Sequence, residues 1–208
     1  MARHLPHINL RVFIVLVLVS LPLYALAAVM VLGTGQAQLR DAFGLQLTDS
    51  AQQAAATVDS YMFRRVIDVS ILARVPEVQA ASAAGSRAPL DVAKARETDT
   101  LWVSQPGPTA AKLGVLDTTA SQFLRDIVNN DQVYREIIVT DREGRIVAAS
   151  SATSDYIQSD EAWWKEAFND GARGLVSVSD VLWDESTKSH AIEIAVPVTE
   201  RPGERLVG

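Results

Sequence analysis

Apolar residues follow three different rhythms along this chain. Across residues 12 to 32 they are almost continuous, and residues 12 to 39 carry no charged side chain. At 1.5 Å per residue the dense part makes roughly 31 Å of helix, against a bilayer hydrocarbon core of about 30 Å. Pro22 is tolerable inside such a span. Arg3 and Arg11 precede it and the next basic residue is Arg40, a bias that puts the N-terminus in the cytoplasm. The competing reading is a cleaved signal peptide with Ala25-Leu26-Ala27 as its exit, but that apolar region should run only about 7 to 15 residues. Length favours an uncleaved anchor.

The second rhythm is helical. Leu39, Phe43, Leu47, Ala51, Ala54, Val58, Met62, Val66, Val69 and Leu72 recur at steps of three and four, which makes one stripe on a helix. The stripe is shallow because so much of it is Ala. It predicts a helix lying on its own domain or a dimer seam continuing from the span, and the two can hold on different stretches. Pro76 ends this helix and opens another. "GSRAPL" at 85 to 90 reads as a loop, "DVAKARETDTLWVSQ" as a helix broken by Pro106-Gly107-Pro108, and "LDTTASQFLRDIVNN" as a helix ending at Asn129 and Asn130.

The third rhythm has period two. "VYREIIVTDREGRIVAASS" contains two β-rich runs joined at Asp141-Arg142-Glu143-Gly144, a hairpin signal. "GLVSVSDVLW" and "SHAIEIAVPVT" are two more strands, and "ERLVG" starts a further one that the sequence cuts short. By alternation with Ile192 and Ile194, His190 is expected to point inward. Helices first and an antiparallel sheet afterwards predict an α+β fold. The expected organisation is a tail at 1–11, a membrane helix at 12–33, a long helix at 34–75 and a sensing domain at 76–208.

Charge and composition narrow the functions. A net charge of −6 on 208 residues argues against binding a nucleic-acid backbone. The absence of cysteine excludes disulfides, thiolate metal sites and a Cys nucleophile. No G-x-S-x-G elbow occurs, and no two histidines have metal spacing outside the N-terminal tail. "DREGR" offers too few oxygens for a calcium loop. The expectation is a segment that is not an enzyme and needs no cofactor or metal.

The order of "ILARVPEVQAA", "IIVTDREGRIVAAS", "DYIQSDEAWWKEA" and "SDVLWDESTKSHAIEIAVPVTE" after a membrane span resembles the extracytoplasmic Cache sensors, most closely the double-Cache kind. These sit in bacterial chemoreceptors, sensor histidine kinases and cyclic-di-nucleotide enzymes. The resemblance implies a PAS-like antiparallel sheet with a ligand cavity on one face. It also implies an inner-membrane location with the domain outside the cytoplasm, and an output module elsewhere in the chain. Amino-acid-binding members carry a Tyr, four residues, then Arg-x-Trp-Tyr. Tyr156, Trp163 and Trp164 fit that pattern, and Glu161 stands where the Arg grips a carboxylate. The resemblance therefore implies a neutral or cationic ligand.

Each of these residues also has a plainer reading. Ser159 fits an N-cap, with Asp160 and Glu161 as first-turn acids favoured by the helix dipole. Trp163 and Trp164 share one broad face with Ala167 and Phe168, and either indole can be core. Trp183 and Asp184 can rim the same pocket or be ordinary turn residues. An aromatic and acidic pocket suits an amine through cation–π contact and charge pairing. The rival function is a membrane-anchored adaptor that binds a protein and no small molecule. In either case the long helix suggests a homodimer.

Overall fold

In the computed structural model, residues 9–105, 109–171, 174–200 and 205–208 are described. Arg3 and the Pro106-Gly107-Pro108 break lie outside them. The chain divides into two units, Met1–Ser60 and Tyr61–Gly208.

From Leu10 onward the first unit is helix. α1 (Leu10–Leu72) is unbroken, with Pro22 inside it. It is long and apolar enough to cross a membrane. The predicted join near residue 33 leaves no mark on the backbone. Thr34, Thr48 and Thr57 donate back to carbonyls four residues earlier, which satisfies their hydroxyls within the helix. The stripe changes character along α1. Leu39, Phe43, Leu47 and Val58 are exposed, whereas Met62, Val66, Val69 and Leu72 in the second unit are half-buried.

In the second unit Pro76 opens α2 (Pro76–Arg87), where a missing N–H removes no helical bond. α2 overruns the loop expected at 85 to 90, because Gly85 is a packing residue. A Cβ there would lie 2.5 Å from Val147 Cγ1. α3 (Val92–Ser104) is capped by Asp91, whose carboxylate accepts Lys94 N at 3.0 Å. α4 (Ala110–Leu116) was not foreseen. α5 (Thr119–Asn130) ends where its asparagines predicted.

β1 (Ile138–Thr140) and β2 (Ile146–Ala149) form the expected hairpin. β3 (Ser177–Val178) pairs with β6 (Ile194–Ala195), and β4 (Leu182–Asp184) pairs with β5 (Ser189–Ala191), all antiparallel. The fold class is therefore α+β, with small separate ladders. "ERLVG" contributes a bridge between Thr199 and Leu206. One core joins α2, α5, β1, β2 and the last residues through Val78, Leu124, Val139, Ala148, Val198 and Val207. Asp141, 1% exposed, sits beside it in a 2.6 Å ion pair with Arg145.

The alternation expected around His190 is reversed. His190 is exposed, Ile192 is 40% exposed, and Ala195 is the buried residue. β5 ends at Ala191 and β6 begins at Ile194, so the phase resets at the two residues between them.

Candidate functional site

The stretch from 154 to 168 is gripped from α3. Asp99 Oδ1 accepts the backbone N–H groups of Tyr156 at 2.8 Å and Ile157 at 3.1 Å. Three residues on, Trp102 is 1% exposed and donates its indole N–H to Thr153 O at 3.0 Å. Its ring lies 5.5 Å from that of Tyr156. The i,i+3 spacing puts Asp99 and Trp102 on one face of α3. On its other side the stretch extends the hairpin. Ile146 N donates to Tyr156 O at 3.1 Å and Gln158 N to Gly144 O at 2.8 Å. Gly144 has φ 76°, and a Cβ there would lie 2.6 Å from Ser159 N, so turn and contact both require glycine. Burial pushes the Tyr156 phenol up, with Arg145 pulling the other way.

The helix that follows starts later than expected. α6 (Ala162–Phe168) has Glu161 at its N-cap, with no side-chain cap bond. Ser159 is not the cap, and Asp160 and Glu161 lie outside the first turn. The reason is the turn before it, where Glu161 N donates to Gln158 O at 3.1 Å. The acids are thus free of the capping role that was their plainest explanation.

Both tryptophans are half-buried. Trp164 has structural partners: its indole N–H donates to Thr140 Oγ1 at 3.2 Å and its ring stacks on Phe168 at 4.7 Å. Trp163 makes no hydrogen bond among the described residues.

Asp155, Asp160 and Glu161 each place a carboxylate oxygen within 4.8 Å of the others. Among the described residues no Lys or Arg forms an ion pair with their carboxylates, and Lys165 Nζ donates instead to the main-chain carbonyl of Asp160. Asp155 is raised by burial first and then by Asp99, Glu161 and Asp160. Glu193 is raised by burial and then by Glu161 and Asp184. Glu193, between β5 and β6, therefore feels both Glu161 and the hairpin's Asp184. Three such carboxylates have the oxygen chemistry of a hard-cation site or an ammonium site.

Trp183 and Asp184 have local partners. Trp183 is 51% exposed, donates to Glu185 Oε1 at 3.1 Å and meets His190 edge-on at 5.3 Å. Asp184 accepts from Ser186 N at 2.9 Å and Thr187 Oγ1 at 2.7 Å. Burial would raise Asp184, but these bonds outweigh it and hold the carboxyl below its ordinary value. The geometry is that of an Asp-initiated turn.

Two of the concavities among the described residues of the second unit are well defined by their lining. One lies along α1 at Tyr61, Arg65 and Asp68, the other between α2, α4, α5 and β2 over Ala81, Ala84 and Val147. Neither is lined by Tyr156, Trp163 or Trp164. Sequence reasoning missed Asp99, Trp102 and Asp155. A tryptophan three residues after an acid on an otherwise polar helix was the available signal. Comparison with family models, curated proteins and solved structures found no match to this chain.

Proposed function

We propose that the chain is the extracytoplasmic ligand-sensing part of a bacterial transmembrane receptor of the Cache, PAS-like kind. In this reading α1 anchors it in the inner membrane with a cytoplasmic N-terminus. The exposed stripe on α1 meets a second copy of the chain, and the second unit takes a small neutral or cationic ligand. The signal is read by an output module of kinase, cyclase or chemoreceptor type. The observation that carries this is the set of three clustered carboxylates that form no ion pair among the described residues, on the same short stretch as Tyr156 and Trp163. Acids that repel one another are stabilised when a cation arrives, and a half-buried indole adds a π face. Signalling requires that the ligand bind two states unequally.

The test is a thermal-shift series on the full chain in lipid nanodiscs with alkyl diammonium ions, quaternary ammonium ions and dicarboxylates. Ammonium ligands at about 100 times their Kd should stabilise the fold by about 2.7 kcal/mol, and Trp163→Ala should abolish the shift. Stabilisation by dicarboxylates alone would overturn the reading.

One observation favours the protein-binding adaptor as a second reading. Leu175, Val181, Leu182, Trp183 and Ile192, near the β3–β6 and β4–β5 ladders, are each between 40% and 62% exposed. Exposed apolar residues that lie together mark protein or membrane contacts or ligand grooves.

A further inference from the structure

The segment from 131 to 137, between α5 and β1, is tied at both ends to elements far from it in sequence. At its start, Asp131 Oδ2 accepts Arg65 Nη1 at 2.9 Å, and Arg65 belongs to α1. The Arg65 guanidinium also lies 5.1 Å from the Tyr61 ring centroid and 5.6 Å from that of Tyr134, so a residue of the segment forms one of its two aromatic faces. Arg65 Nε is buried without a hydrogen-bond partner, so the guanidinium is held by Asp131, by a longer 3.4 Å contact to Asp68 Oδ2 and by the two rings rather than by a full set of bonds.

At the other end, Glu136 holds two elements at once. Its Oε1 accepts Ser151 Oγ at 2.7 Å, just after β2, and its Oε2 accepts Ser186 Oγ at 2.6 Å, in the β4–β5 turn. Between the two ends the segment is stiffened by its own bonds. Val133 N donates to Asp131 Oδ1 at 3.1 Å, and Tyr134 N donates to Asp131 O at 3.1 Å. Ile137 is pinned to the sheet through Ser150, whose Oγ accepts Ile137 N at 3.0 Å.

We infer that residues 131–137 are a coupling strut between the β4–β5 hairpin and the C-terminal end of α1. A seven-residue connection could have been a slack loop. Here the clasps at Asp131 and Glu136 are made by side chains, and the pin at Ile137, next to the second clasp, is the pivot. A displacement of the hairpin at Ser186 moves Glu136, turns the segment about Ile137 and changes how Asp131 and Tyr134 hold Arg65. The converse follows by reciprocity, because two contacts that bias one element must each feel the other. This coupling holds whatever the hairpin binds, ammonium ligand or protein, so it stands or falls separately from the functional reading above.

The test is backbone hydrogen exchange on the full chain in nanodiscs, comparing wild type with Ser186→Ala and Arg65→Gln. Ser186→Ala should speed exchange in residues 61–72, and Arg65→Gln should speed exchange in residues 182–191. The expected factor is about 2- to 30-fold, the range for coupling through packed networks. Amides of Ile146–Ala149 should keep their wild-type rates. Glu136→Gln can accept one serine hydroxyl and donate to the other, so it should leave both remote rates near wild type. Acceleration confined to the neighbourhood of each substitution overturns the proposal. So does a uniform rise that includes Ile146–Ala149, which would report only global loss of stability.

Discussion

Asp99 shows how much a single side chain can organise. Its one carboxylate oxygen satisfies two successive backbone N–H groups, those of Tyr156 and Ile157, and so fixes where the following acids stand. Asp99→Ala leaves both donors to solvent or to nothing. The expected loss is about 1 to 3 kcal/mol in urea unfolding. Proteolysis should also become faster within residues 153–161 in particular. A loss of stability with unchanged cleavage there would mean that the stretch is held mainly by its ladder bonds to Gly144 and Ile146. Residues of this kind were poorly legible in the sequence. Asp99 sits in "RETDTLW" among other polar residues, and only the buried neighbour Trp102 distinguishes its face. Gly85 was misread for the opposite reason. Glycine in a polar run signals a loop, whereas here the missing Cβ lets α2 approach Val147. Gly144 was read correctly because a turn after Asp141-Arg142-Glu143 demands it.

At the scale of elements, strong periodicity carried over well and short strands did not. α1, the start of α2 at Pro76, α3, the end of α5 and the β1–β2 hairpin all follow from spacing and punctuation. The error at His190 arose because two strands of two or three residues cannot hold an alternation across the break at Ile192 and Glu193. The error at Ser159 arose because a turn took the backbone that a cap would have used. The β4–β5 hairpin also makes a pH prediction through Glu136. Burial raises this carboxyl above its ordinary value of 4.5, and the hydrogen bonds from Ser151 and Ser186 only partly offset that. Between 4.5 and the raised value the folded chain binds more protons at this group than the unfolded chain. Stability therefore falls as pH rises through that window, and the cost persists above it. Glu136→Gln removes the cost. Its urea midpoint should exceed that of wild type at neutral pH, and the two should converge below about pH 4.5. A variant that is destabilised at neutral pH but matches wild type below about pH 4.5 would show that the carboxylate itself is worth more than its burial costs.

For the whole molecule, the membrane-length apolar helix and the α+β unit were both readable from hydrophobic rhythm alone. The arrangement of the site was not, because it depends on contacts between α3, the stretch after β2 and the hairpin, which are far apart in sequence. The proposed function turns on the clustered acids selecting a cation over a carboxylate, with Glu161 as the deciding residue. The most direct measurement is a calorimetric titration of the full chain in nanodiscs, wild type and Glu161→Arg, with an alkyl diammonium ion and with a dicarboxylate. Wild type is expected to bind the diammonium ion and not the dicarboxylate. In Glu161→Arg the ammonium affinity should drop at least tenfold, about 1.4 kcal/mol, and carboxylate binding should appear. Dicarboxylate binding by the wild type, or an ammonium affinity that ignores Glu161→Arg, would contradict it.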